Sequence, residues 1–414
     1  MSNLKNYKFD KLYEMGSGIS TSKEQAGSGA PFVSFSTIFN NIFLPDELPD
    51  LMDTSEEEQE KYSVKKGDIF LTRTSETLDE LAMSCVAIKD YPNATFSGFA
   101  KRLRPIQDDI TYDKYMAFYL RSDYFRTIIN NNAVMTLRAS FNEDIFSYLS
   151  LYLPEYDEQV KIGDFLFLIE EVIKNNNKIN AELDKMARLL YEYWFLQFDF
   201  PKEDGEPYKS SGGNMVWNEL LNKEIPEDWD VLNLLEAVSW NGGAQPPKST
   251  FIYEEKAGYI RFIQNRDYTD DSYLTYIPIS KSNKTCNAYD IMMDKYGDAG
   301  KVRFGIEGAY NVALSKIGVI LPNAQEYIRQ YFNSNVIYNF LHNACIASTR
   351  ASLNEDILKL LYIVIPKDSI LSEFEEIQKQ YIDQILLNQQ KNRELRKLQE
   401  FLMPLLITGQ VKIV

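Results

Sequence analysis

The sequence is poor in the residues that carry out chemistry. It holds one histidine, His342, in 414 residues, so a Ser/His/Asp or Cys/His catalytic group could be assembled only once. His342 lies in FLHNACIA, on an amphipathic helical stretch where a structural role is the better reading. Three cysteines (Cys85, Cys286, Cys345) stand far apart and make neither a CxxC pair nor a metal-ligand spacing, as suits a reducing compartment. There is no HExxH, no EF-hand loop, no Gly-Lys-Ser/Thr of a nucleotide P-loop and no GxGxxG after a strand. A built-in metal or nucleotide cofactor is therefore not expected. Apolar runs such as LLYIVIP are too short to cross a bilayer, and the first residues lack a basic segment followed by an apolar stretch. The expectation is a cytoplasmic chain, with no membrane partner and no catalytic machinery of its own.

Positive charge is also in deficit, with 44 Lys and Arg against 60 Asp and Glu and a net charge of −16. Phosphate binding needs local positive potential, so the balance speaks against nucleic acid. The argument is weak, because net charge does not say where charges lie. Much of the acid sits in PDELPDLMDTSEEEQE, and an acidic chain can carry basic patches.

What the sequence does contain is a long helical pattern at its middle, YDEQVKIGDFLFLIEEVIKNNNKINAELDKMARLLYEYWFLQFDFP, with no Gly after Gly163 and no Pro until Pro201. Phe165, Ile169, Val172, Asn176, Ile179, Leu183, Met186, Leu190 and Tyr193 follow at alternating steps of four and three, a heptad seam with one polar member. A helix of about forty residues is about 60 Å long, so its stripe should face a partner helix. The partner lies in the same chain. LRASFNEDIFSYLSLYLP, ending at Pro154, returns as TRASLNEDILKLLYIVIP, ending at Pro366, 212 positions later. The same offset sends Asn176 to Asn388, Leu183 to Leu395, Met186 to Leu398 and Leu190 to Leu402. The chain is a duplicated unit, globular part then long helix. Asn176 and Asn388 either fix the register of the pair or are merely tolerated polar positions.

Between the helices the reading is α+β with a mainly antiparallel core. Residues 1–155 hold a Gly/Ser-rich opening, read as a plain loop, then the strands GDIFLTRT, SCVAI and SGFAKRLRP, and the helix KYMAFYLRSDYFRTIINN. Residues 156–200 are the central helix. Residues 201–367 begin with a polar linker, KEDGEPYKSSGGNMVWN, and repeat the plan: WNGGAQPPKST as the opening, then AYDIMMDKYGDAGKVRFG mirroring GDIFLTRT. Residues 368–414 give the second long helix. Two globular domains with mixed, mainly antiparallel sheets, separated by two helices pairing as an antiparallel coiled coil, form an internal pseudo-twofold repeat.

The stretch LLYEYWFLQFDFP, the half-chain repeat and the closing FLMPLLITGQVKIV together resemble the specificity (S) subunits of type I restriction-modification systems. The resemblance is specific in the two helical regions and weak in the globular units. It implies a non-catalytic DNA reader whose two target recognition domains contact the halves of a split, asymmetric site on double-stranded DNA. It implies paired helices that act as a ruler and dock two methyltransferase (M) subunits, which bind S-adenosylmethionine, and two restriction (R) subunits, which use ATP and Mg²⁺. The DNA-contacting candidates, chosen by residue type and placement, are Arg73, Thr74, Arg102, Arg104 and Arg138 in the first unit, and Asn265, Arg266, Lys301, Arg303 and Arg350 in the second. Arg138 and Arg350 occupy one position of the repeat, which favours a shared scaffold task over base reading. The acidity implies that the chain alone binds DNA weakly and gains affinity in its complex. A different reading of the same features is an acidic DNA mimic or inhibitor that docks on a methyltransferase complex without reading DNA; the basic strands GDIFLTR and KRLRP speak against it.

Overall fold

Tyr156–Tyr191 forms one unbroken helix of 36 residues, followed directly by a π-helical turn, Glu192–Leu196. Asp368–Ile407 forms a second, of 40 residues. The computed structural model describes residues 4–75, 80–132, 139–269, 273–347 and 352–413. They divide into two units: residues 1–174 with 392–414, and residues 175–391. Each unit thus holds one globular part and a section of each long helix.

In the first unit a four-stranded antiparallel sheet runs in the order Tyr13–Ser17, Ala100–Pro105, Ile69–Thr72, Ser84–Val86. A smaller sheet orders Asp50–Met52, Ala26–Val33 and Thr95–Phe96, the last pair parallel. The second unit repeats the plan with Val238–Gly242, Leu314–Val319, Ile291–Asp294 and Val302–Arg303. Its smaller sheet orders Tyr276–Pro278, Tyr259–Ile263, Gly308–Tyr310 and Thr285–Cys286, and again contains one parallel pair, Tyr259–Ile263 with Gly308–Tyr310. A two-stranded ribbon, Lys5–Lys8 with Ser150–Leu153, joins the first and last strands of the first globular part, and Asp230–Asn233 with Tyr362–Ile365 does the same in the second after the hairpin Met215–Asn218 and Lys223–Pro226. The NEDI repeat is a helix start. Asn142 Oδ1 accepts from the Ile145 N–H at 3.0 Å and Asn354 Oδ1 from the Asp356 N–H at 3.1 Å, with acids in the first turn of each short helix.

The helices carry the cores with them. In the first unit Ile162 and Leu166 share a buried cluster with Phe9, Phe125, Leu406 and Ile407, and Phe165 and Leu402 pack against it half-buried. Gly163 lets the helix approach closely, since a Cβ there would lie 2.6 Å from the Tyr115 backbone nitrogen. The second helix stops at Gly409, φ +69°, with the Gln410 N–H donating back to the Leu405 carbonyl at 2.8 Å. That is the physical content of TGQ. In the second unit the aromatic run becomes core: Phe195 lies 4.8 Å from Phe374 and 4.6 Å from Tyr327 between ring centroids, and Phe200 stacks on Trp229 at 4.8 Å.

Within the second unit the helices run antiparallel, because Gln378 Nε2 donates to the Ala187 carbonyl at 2.9 Å while Asn388 Nδ2 donates to Asn180 Oδ1 at 2.8 Å. The seam is turned from its expected face. Ile169 is buried and Asn176, Leu183 and Leu190 are half-buried, but Val172, Ile179, Met186 and Tyr193 are exposed, and Ile173, Asn180, Ala187 and Trp194 lie inward in their places. On the second helix Asn388 is buried, Leu395 and Leu402 are half-buried and Leu398 is exposed. Both faces share every seventh residue. The apolar flank outscored the true seam because the latter carries an asparagine and a small alanine.

Truncating Phe195 to alanine should destabilise the protein by ~3–5 kcal/mol, while Leu196→Ala, on an exposed neighbour, should stay within ~0.5 kcal/mol in denaturant unfolding. Asn388→Leu alone should cost ~1–3 kcal/mol by stranding the Asn180 amide. The double change Asn180→Leu, Asn388→Leu should recover that loss, and a measured double-mutant cycle without recovery would separate the two side chains energetically.

Candidate nucleic-acid interface

Sheet alternation decides where the strand cations point. Along Ala100–Pro105, Lys101 is buried with its Nζ donating to Ser17 Oγ at 2.9 Å. Arg102 and Arg104 point to the opposite side and both donate to the Ser63 carbonyl, at 2.7 and 2.9 Å. Arg104 adds a two-pronged contact to the buried Asp68 at 2.7 and 2.6 Å, and this hydrogen-bonded carboxylate raises the arginine's pKa. Arg102 lies over the Phe96 ring at 5.3 Å, and burial lowers its pKa. Asp68 also accepts from the Lys65 N–H at 2.8 Å, so the three residues clamp the turn that enters Ile69–Thr72. Arg102 and Arg104, expected at the DNA surface, thus serve the scaffold. The sequence shows alternation but not the carboxylate waiting on one face.

The second unit repeats the lesson. Arg303 donates to the buried Asp294 at 2.9 and 3.1 Å and covers Tyr268 at 6.0 Å. Burial pushes the Asp294 carboxyl above its usual range, and the Arg303 charge opposes that shift. Lys301 reaches Asp298 at 2.9 Å on the surface. Asn265 opens a short 3-10 turn, Asn265–Tyr268, and its Oδ1 accepts from the Arg266 N–H at 3.1 Å. Arg266 is exposed, 3.6 Å from Asp267 and over Tyr273 at 6.0 Å. Through Tyr268 the structure brings Arg303 to the turn that carries Asn265 and Arg266. In the first unit Arg73 is exposed at the end of Ile69–Thr72, and Thr74 pairs with Ser140. Arg138 and Arg350 lie outside the described residues.

The Gly-rich openings are strand crossings rather than phosphate cradles. A Cβ on Gly18 would lie 2.2 Å from the Ser97 carbonyl oxygen, and one on Gly243 would lie 1.8 Å from that of Asn311. The glycines permit the crossing, and the Ile19 and Ala244 N–H groups pin it by donating to Phe96 and Tyr310. His342 is half-buried, its Nδ1 3.3 Å from the Ala299 carbonyl. No helix among the described residues is long and apolar enough to cross a membrane.

The family description "Type I restriction modification DNA specificity domain" matches residues 1–185 and again 226–397. The chain belongs to this family. A type I restriction enzyme MjaIX specificity subunit of Methanocaldococcus jannaschii is 24% identical over 367 residues, covering 84% of this chain and 78% of that protein. A type I restriction enzyme HindI specificity subunit of Haemophilus influenzae is 25% identical over 221 residues, 49% of this chain and 44% of that protein. The crystal structure of a type I restriction-modification S subunit from M. genitalium shares the fold, with a TM-score of 0.61 at 12% identity, covering 98% of this chain and 96% of that one.

Family membership leaves the inward arginines as found. Arg104→Ala should destabilise the protein by ~3–5 kcal/mol, because Asp68 stays buried without its partner, whereas Arg266→Ala should change stability by under ~0.5 kcal/mol. Denaturant midpoints at constant m-value test this; an unperturbed Arg104→Ala protein would return that arginine to the surface.

Proposed function

We propose that this chain is the non-catalytic DNA reader of a type I restriction-modification complex, one globular unit addressing each half of a split, asymmetric site. The observation that carries the reading is the duplication itself: one sheet plan, made twice from different residues, on helices that present a matched surface twice. Met186 and Leu189, three apart on one helix face, are exposed in the second unit. At the repeat offset, Leu398 and Phe401 are exposed in the first. Apolar side chains repeated at equivalent places on both helices suit docking of two copies of one partner, the methyltransferase subunit. Those subunits would bring S-adenosylmethionine, and two restriction subunits would bring ATP and Mg²⁺. The ruler is the helix pair, whose register sets the gap between half-sites.

The test is to co-express the chain with its neighbouring methyltransferase, treat a randomised duplex library, and sequence the molecules that acquire methyl-adenine. One split motif with a constant gap is expected. Copurification with loss of all methylation would replace the reader by the inhibitor that the net charge of −16 also suits.

A further inference from the structure

The cations of the two four-stranded sheets are engaged almost throughout. In the first, Lys101, Arg102 and Arg104 bond Ser17, Ser63 and Asp68. In the second, Lys316 bonds Asp290 at 3.4 Å and Arg303 bonds Asp294. The residue that leaves one inner strand of each sheet differs: Arg73 after Ile69–Thr72, and Lys295, whose Nζ lies 5.9 Å from the Tyr296 ring centre, after Ile291–Asp294. Neither is paired with a carboxylate among the described residues.

Their backbones are held in the same way. The Arg73 N–H donates to the Phe99 carbonyl at 2.9 Å, and the Arg73 carbonyl accepts from the Phe141 N–H at 2.8 Å. The Lys295 N–H donates to the Ala313 carbonyl at 2.8 Å, and its carbonyl accepts from the Leu353 N–H at 3.1 Å. Phe141 and Leu353 are themselves equivalent, each preceding the asparagine that caps the NEDI helix. Both cations therefore start from a fixed point beside the equivalent short helix of their own unit, Glu143–Tyr148 or Glu355–Leu358. The correspondence is hidden from the repeat offset, which carries Arg73 to Thr285.

A side chain that reads bases should differ between units that read different half-sites. A cation kept at one structural point in both units suits what every half-site shares, the sugar–phosphate backbone. We propose that Arg73 and Lys295 are equivalent phosphate anchors, each holding duplex backbone for its own unit. A point charge on a long stem is enough for that task, which explains why one unit uses arginine and the other lysine. The proposal rests on the DNA-reading function above and assigns these two residues to affinity rather than sequence choice.

The experiment uses the full chain copurified with its methyltransferase subunit. Dissociation constants are measured across a salt series on a duplex carrying the methylated motif and on a scrambled duplex, for wild type, Arg73→Ala, Lys295→Ala, the double variant and Arg73→Lys. Each alanine should flatten the log–log salt slope by ~0.9, and the double by ~1.8, with similar losses on both duplexes. Arg73→Lys should keep the slope, and the methylated motif should be unchanged in every variant. Relaxed choice at one motif position would make the residue a base reader and overturn the proposal. So would an unchanged slope in the double variant, or loss of the methyltransferase from the purified complex. A wild-type complex that methylates no motif would instead bring down the DNA-reading function itself, so the two failures are distinguishable.

Discussion

The first unit is not complete until the second long helix has been made. Leu406 and Ile407 lie in the same buried cluster as Phe9, Phe125 and Ile162, so the last helical turn belongs to the core built from the first strands. The second unit, by contrast, is one continuous stretch, residues 175–391. Closing a long loop costs entropy that grows slowly with its length, and a folded insert shortens the loop that remains. The least costly order is therefore the second unit first, then closure of the first by the second helix. This dependence explains why FLMPLL and YWFLQFDFP are the recognisable stretches of the chain: each delivers the end of a long helix into a core.

The helix pair meets two demands that pull apart. A seam filled with leucine would be more stable, but it would tolerate a slip of a whole heptad. The observed seam sets Asn180 against Asn388 at 2.8 Å in the second unit and Gln399 against Glu170 at 2.8 Å in the first. A slip would leave these partly buried polar groups without partners, at up to ~1–3 kcal/mol for the buried Asn388 and less for the others. Polar residues at seam positions thus exchange stability for register. In the proposed function the helix pair would act as a ruler, for which register is the quantity that matters.

Much of this was legible in the sequence: two long helices, the internal repeat, the α+β character and the family. The 212-residue offset found them because it spans segments under the same packing constraint twice. The face of the seam was not legible. Val172, Ile179 and Met186 are more apolar than Ile173, Asn180 and Ala187 taken together, so hydrophobicity alone chose the flank. The arginines misled for a related reason. Pattern places Arg102 and Arg104 on one face of a strand, but only the fold shows that Asp68 and the Ser63 carbonyl occupy that face. Lys295 was passed over although DIMMDK lies on DIFLTR, because the globular parts have drifted from the helical offset.

The inward turn of these cations bears on the acidity. Arg104, Arg303 and Lys316 pair with carboxylates of their own unit, so their charge is offset within the sheets, while Lys101 and Arg102 are held by neutral oxygens of Ser17 and Ser63. Against a net charge of −16, long-range attraction of a polyanion then has few sources in the two four-stranded sheets. Under the proposed function, duplex contact would then be short-range, made by loop side chains once another surface has brought the DNA near. The repeated exposed pairs on the helices, Met186 with Leu189 and Leu398 with Phe401, are the docking places the proposal assigns to that partner. The proposal thus expects weak affinity alone and firm affinity in assembly from one charge distribution, in which Arg104 and Arg303 are held by buried carboxylates of the scaffold.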